Sequence, residues 1–357
     1  MGYRAIIALL VLSVLLPAGS ASAEAEFVIR YSHLGVVNPM VQSSSAKAVV
    51  FKAELEKLSG GRIKVEIFPG GGLGGQVSSV QQVRKGTIHI ADISSGVLAS
   101  LYYEPLEIFD LPFVFSSRTT ARMVLDNENA FTRKLIEDCT DKTGIRILSL
   151  GPFGFRHMTN NVRAIRTPDD MRGLKMRTME IGAHMELMRS VGSTPVPVQW
   201  LELYTSLQTK VVDGEETTLQ NIVMGKLYQV QEHLSLTGHL MGVGAFLCND
   251  EWYQSLPDDL RLAVVEAEAV ARLTYDGFGQ LLDTIALEKL TSDDCNIKVH
   301  SLTEQERQKF KDAALPHVRK WMEEKHGNKF VAEFFAAVEA AEKQLEDQAE
   351  ATKTRDK

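Results

Sequence analysis

Apolar and polar residues change period repeatedly along this chain. Glu26–Ser32 reads as a first strand, and Met40–Leu58 as a helix with Ala46, Val49, Val50 and Ala53 at apolar positions. Arg62–Phe68 alternates: Ile63, Val65 and Ile67 face one way and Arg62, Lys64 and Glu66 the other, the period of a half-buried strand. Val77, Val80 and Val83 return to near-helical spacing before the strand-like Ile88–Ile93. Leu111–Phe115 breaks the pattern, helices follow to about Lys142, and Ile145–Leu150 reads as another strand. Short strands and helices then alternate through Asn249. A long helical pattern rich in Ala, Leu and Glu covers Pro257–Leu290, a strand is expected at Asn296–His300, and helices from Thr303 onward. The polar end, Ala349–Lys357, is expected to fray.

Strands alternating with helices predict an α/β fold. No internal repeat and no Gly/Ser linker separates the chain into blocks, so the two expected lobes should be joined by strands that cross between them.

The first residues have a different character. Arg4, an apolar run from Ala5 to Leu16, Pro17 and the small residues Ala21-Ser-Ala23 read as a secretory signal peptide cleaved after Ala23. The run is short for a bilayer, and no later stretch approaches the roughly 20 apolar residues a membrane helix needs. The mature protein is expected to be exported and soluble. Cys139, Cys248 and Cys295 match neither a zinc knuckle nor a redox Cys-x-x-Cys, so no metal site is expected, and their odd number leaves at least one thiol outside any intrachain bridge. Losing Arg4 takes the formal charge from −7 to −8. The roughly 330 residues that remain suffice for two lobes. An acidic balance argues against nonspecific nucleic-acid binding, so attraction of an anion would have to be local.

Several motifs admit two readings. Gly70, Gly72 and Gly75 fit the G-x-G-x-x-G dinucleotide fingerprint, with Asp92 downstream, but they follow the second strand and not the first, which favours a tight structural loop and no cofactor. Asp213, Glu215 and Glu216 are too close in sequence for the flanking carboxylates of a glycosidase. Asp213-Gly214 reads more simply as a turn that leaves one glutamate pointing inward. There is no nucleophile elbow, zinc-protease motif or Walker loop, and the nine histidines form no ligand-spaced pair.

Arg156 in Gly154-Phe-Arg-His-Met-Thr-Asn160 and Arg177 in Gly173-Leu-Lys-Met-Arg-Thr178 bring permanent cations without catalytic company. Guanidinium matches a carboxylate through two parallel hydrogen bonds. Each arginine is either a carboxylate clamp or half of a salt bridge. Trp200 and Tyr204, four apart on a probable helix, share a face that is either core or, for Trp200, a pocket wall.

These residues resemble the solute-binding proteins of TRAP (tripartite ATP-independent periplasmic) transporters, of the dicarboxylate-receptor type. The likeness rests on Phe68-Pro-Gly-Gly-Gly-Leu-Gly-Gly75, Asp110-Leu-Pro-Phe113, Gly154-Phe-Arg156, Gly173-Leu-Lys-Met-Arg177, Glu202-Leu-Tyr204 through Leu207-Gln208, and Val212-Asp-Gly214 with Glu216, in that order. The resemblance implies a two-lobed periplasmic-binding-protein-like fold with hinge strands and a long helix spanning both lobes. The lobes are expected at 24–153 plus 243–281 and at 154–242 plus 282–330, with a helical tail over 331–357. It implies a periplasmic receptor, most simply a monomer, that delivers an organic acid to membrane permease subunits driven by an ion gradient. By position, Arg177 resembles the principal carboxylate-binding arginine and Arg156 the second. His33, Gln76, Ser95, Glu180, Trp200, Glu216, Thr217 and Gly244 resemble the remaining wall.

Thr217 stands where many relatives have asparagine, and neither Val97 nor Leu98 supplies the arginine of sialic-acid-binding members, which counts against that ligand. Glu180, Gln76 and Ser95 favour a small hydroxylated acid. The competing expectation is an exported enzyme acting on a small acid, with Glu216 as the residue on which turnover would rest.

Overall fold

A computed structural model describes residues 25–355; the expected signal peptide and its cleavage point lie outside them. Alternation places β1 (Phe27–His33) beside β2 (Ile63–Phe68) in parallel, Ile29 opposite Val65, with the intervening α1 (Ser43–Leu58) packed over them. The Gly70–Gly75 loop turns the chain into α2 (Gln76–Arg84), and β3 (Ile90–Ser94) returns parallel to β1. Helices α3 (Ser95–Leu101), α4 (Arg118–Leu125) and α5 (Ala130–Thr143) follow. Ser117 Oγ caps α4 by accepting from the Thr120 N–H, and Gly144, in the left-handed region at φ 70°, ends α5.

The expected strand Ile145–Leu150 proves to be the first part of β4 (Ile145–Asn160), 16 residues long. Beyond it come β5 (Lys175–Thr178), α6 (Gly182–Ser190), β6 (Thr194–Pro197), α7 (Trp200–Gln208), β7 (Gly214–Thr218) and α8 (Leu219–Met224). Strand β8 (His233–Asn249), 17 residues, runs back antiparallel to β4 along its whole length. The chain ends with α9 (Asp250–Ser255), α10 (Asp258–Thr291), β9 (Lys298–Ser301), α11 (Glu304–His326) and α12 (Asn328–Arg355).

All nine strands form one sheet, ordered β2-β1-β3-β8-β4-β7-β5-β6, with β9 pairing to β8. The two long strands at its centre belong to both halves. Their pairing slips at Ile147/Ser149, Pro152/Gly154 and Arg156/Met158, and such bulges bend a ladder locally. Gly154 adopts φ 139°, a backbone state that side chains disfavour.

The 34-residue α10 spans both halves, as its packing shows. Its first turns bury Leu260, Val264 and Ala267 with Phe51 and Leu55 of α1, and its last turns bury Ala286 and Leu290 with Leu203, Leu207 and Ile222. The polar end does not fray within the described residues, because α12 stays helical to Arg355. Val331, Phe334, Val338 and Ala341, spaced for one helical face, pack into the largest core, where the Phe334 ring meets Phe109, Phe115 and Phe131. Cys139, Cys248 and Cys295 are buried free thiols. No described helix is long and apolar enough to cross a membrane.

Candidate functional site

A cavity of about 80 Å³ lies between the two halves. Its volume corresponds to several water molecules, hence to a small solute. Gln42, Ser44, Gln76, Asp92 and Ser94 line it from the first half, and Arg177, Met179, Trp200, Thr217 and Asn221 from the second. Phe153 and Arg156 of β4, Gly242–Gly244 of β8 and Tyr275 of α10 complete it. Gln42 Nε2 donates to Asn221 Oδ1 at 3.1 Å and the Ser43 N–H donates to Gln220 Oε1 at 3.1 Å, tying the two sides together.

The two arginines differ in their company. Arg156, 3% exposed, is gripped by Glu216 of β7: Nε donates to Oε2, and Nη2 donates to Oε1 at 2.8 Å. Strand register creates the pair, since Met158 lies opposite Glu216 and Arg156 opposite Thr218. Arg177, 2% exposed, donates through Nε to the Val198 carbonyl at 2.8 Å, and no described carboxylate forms an ion pair with it. Burial draws its guanidinium down to about 10, against the pull of Glu215 and Glu216, so it remains charged at neutral pH. A buried cation whose fork faces a cavity is poised to take up an anion.

Glu216 is also the hub of a wider network. His184 Nδ1 lies 2.9 Å from Glu216 Oε1 and its Nε2 3.3 Å from Asp110 Oδ1, while His239 Nε2 lies 3.4 Å from Glu216 Oε2. Burial alone would raise the Glu216 carboxyl, but Arg156 and His184 hold it well below the carboxylate range. Burial likewise opposes a charged His184, yet Glu216 and Asp110 raise it to about 9.

A raised imidazole contributes stability that is complete below its unfolded value near 6.5 and fades as pH climbs to the folded value. From about pH 7.5 to pH 9, His184 should therefore surrender about 2 kcal/mol of folding stability. Denaturant titrations across that window should show wild type losing more stability than His184→Gln. Parallel profiles would refute the assignment.

The cavity gathers Arg177, Arg156, Trp200, Thr217, Gln76 and Gly244 from the expected wall and leaves out four others. Glu216 is fully buried behind Arg156, where an ion-paired carboxylate has no reach to a substrate bond. His33 is buried on β1, and its neighbours Leu34 and Gly35 reach the cavity instead; burial lowers its imidazole to about 4. Ser95 starts α3 and points into the protein, so the preceding Ser94 lines the cavity. Glu180 is exposed and lines a smaller recess behind Arg177 with Gln76, Val97, Gln199 and Trp200.

Trp200 is both wall and core: it lines the cavity and packs on the Leu203–Leu207 cluster, as Tyr204 also does. Thr217, where an asparagine is common, has its hydroxyl engaged by Asn221 Nδ2 at 3.0 Å, so Asn221 brings an amide to the same wall. The glycine loop packs structurally: Gly71, at φ 73°, sits against Leu34 and Leu201, and Gly75 precedes α2, whose Gln76 side chain accepts from the Ser94 N–H at 2.6 Å.

The sequence pattern of bacterial extracellular solute-binding protein, family 7, matches residues 35–325. The chain belongs to this family. A solute-binding protein of Verminephrobacter eiseniae (strain EF01-2) is 38% identical over 220 residues, a match spanning 61% of this chain and 64% of the relative, less than two thirds of its length. The C4-dicarboxylate-binding periplasmic protein DctP of Rhodobacter capsulatus is 29% identical over 314 residues, covering 88% of this chain and 90% of that one. Among solved structures, the sugar acid binding protein DctPAm from Advenella mimigardefordensis, in complex with galactonate, superposes with a TM-score of 0.82 at 27% identity over 88% of this chain and 98% of that one. Members of family 7 are solute receptors and not enzymes, and the two-lobed architecture expected of them is the one described above.

Proposed function

We propose that this protein is the receptor component of a TRAP-type transporter, capturing a small organic acid by its carboxylate and handing it to the membrane permease. The single observation that carries this reading is Arg177: buried, without a carboxylate ion-pair partner among the described residues, and lining a cavity between two halves. Relatives named for C4-dicarboxylate and galactonate binding support a small carboxylate as the ligand class. Arg156, fixed by Glu216, presents its remaining N–H edge to the same space, and Trp200 packs against the carbon skeleton.

In this reading the leader is removed after Ala23 and a monomer works in the periplasm. The lobes 24–153 with 243–281 and 154–242 with 282–330 close about β4, β8 and α10, which excludes water and presents a closed surface to the permease. A thermal-shift panel tests it. A carboxylate present at about 100 times its dissociation constant adds about 2.7 kcal/mol to the native state. Organic acids should therefore raise the melting temperature where their amides and methyl esters do not; a panel without any responding acid refutes the reading.

A further inference from the structure

The side of the cavity away from Arg177 holds polar atoms that lack partners. Asp92 on β3 is 6% exposed and Tyr275 on α10 is 3% exposed, and both line the cavity. Among the described residues, Asp92 Oδ2, Tyr275 Oη and Gln42 Oε1 have no hydrogen-bond partner. The Ser44 hydroxyl lies against both Asp92 and Tyr275. Gly244 keeps the corner open, because a Cβ there would stand 3.8 Å from Asp92 Oδ1 and collide with Tyr275 Oη.

Charge distinguishes this corner from the Arg177 side. Burial raises the carboxyls of Asp92, Glu268 and Asp276 above their ordinary values, and the buried Lys47 ammonium, 3.9 Å from the Phe246 ring centroid, draws each back toward its ionised form. Arg272 faces Glu268 and Asp276, and Arg118 faces Asp276 and Asp283, while Lys47 is the cation that acts on Asp92. Asp92 is therefore backed by a cation, and beyond the Ser44 hydroxyl no described side chain reaches Asp92 or Tyr275 with a hydrogen bond. Sheet order puts Asp92 and Arg177 on opposite sides of this one small cavity, with β8, β4 and β7 lying between β3 and β5. Arg156 is already neutralised by Glu216, so Arg177 is the one cation lining this cavity without an ion-pair partner among the described residues.

We propose that Asp92, Tyr275, Ser44 and Gln42 form a hydroxyl-recognising corner that makes this receptor select a hydroxylated monocarboxylate and reject a dicarboxylate. The inference rests on the carboxylate reading of Arg177. A ligand anchored there by its one carboxylate extends hydroxyls toward Asp92 and Tyr275, which satisfies them. A second carboxylate in that position meets Asp92 with no cation between them, and like charges at close range disfavour each other. A ligand ammonium is a weaker fit, because Lys47 already supplies the positive charge.

Calorimetric titration of the periplasmically expressed protein with erythronate, succinate and 4-aminobutyrate, four carbons each, tests this. Erythronate should bind about 10- to 100-fold more tightly than either of the others. Asp92→Asn, which exchanges one acceptor for a donor, should shrink the erythronate-to-succinate ratio by about ten-fold, and Tyr275→Phe should weaken erythronate more than succinate. A ratio read on folded protein is insensitive to modest loss of stability. Succinate or 4-aminobutyrate matching erythronate, or a ratio indifferent to Asp92→Asn, overturns the hydroxyl corner but leaves the Arg177 reading standing. No binding of erythronate also overturns it. Only failure of every acid, here and in the thermal panel, removes the Arg177 reading with it.

Discussion

Replacing Arg177 with alanine should weaken carboxylate binding by roughly 2–5 kcal/mol, about 30- to 5,000-fold in dissociation constant. The size follows from burial. A guanidinium–carboxylate pair made by a side chain as buried as Arg177 is not screened as a surface pair would be, and its loss leaves the ligand's charge desolvated and unmatched. The unliganded fold should tolerate the change, because Arg177 is held by one hydrogen bond to a carbonyl and burial disfavours its charge. Arg177→Lys should fall between, keeping a cation but losing the two-pronged fork. Calorimetry on both variants checks this, and a dissociation constant unchanged in Arg177→Ala removes the clamp assignment.

Glu216→Gln should have the opposite profile, with a fold penalty of about 3–5 kcal/mol. Removing this carboxylate's charge leaves Arg156 buried with no ion-pair partner and takes from His184 the contact that raises it most. Urea unfolding measures the cost, and a loss below about 1 kcal/mol would show that Arg156 and His184 are satisfied without it. Arg177 and Glu216 thus separate two roles, one acting on the ligand and the other on the wall that positions Arg156.

Sequence reading succeeded where one physical signal dominated. β2 alternates because one face is buried, and its bounds follow from that; α10 was visible from its long run of helix-forming residues. The central strands were not visible. β8 reads His-Leu-Ser-Leu-Thr-Gly-His-Leu-Met-Gly-Val-Gly-Ala-Phe-Leu-Cys-Asn, which lacks alternation because nearly every position is buried, and its glycines read as turns. β4 was cut short at Leu150 because Gly151, Pro152 and Gly154 look like a terminator; in the sheet they coincide with a slip in register.

At the site, Arg177, Arg156 and Trp200 stood out by residue type. Asp92 and Tyr275 were missed for different reasons. Asp92 drew notice only as an acid downstream of the glycine loop, and Tyr275 was one aromatic in a helix that pattern alone assigns to core. Nothing local marks a side chain whose last atom reaches a cavity. Glu216, expected at the wall, lies buried against Arg156, since strand register and not motif decides which face it takes.

The crossing of β4 and β8 also sets an order of assembly. β8 occupies the middle of the sheet, between β3 and β4, so a chain that has emerged only through α8 carries two unpaired edges and an unfilled core. Nor is the cover of α1 complete until α10 arrives, some two hundred residues later, to join β1 and β2 in the same core. Neither half can therefore mature alone, and folding waits for nearly the whole polypeptide, a high-contact-order route that is intrinsically slow. On the periplasmic reading proposed above, in which the chain crosses a membrane before it folds, this delay is an asset: the topology itself postpones the compact state until translocation is nearly complete.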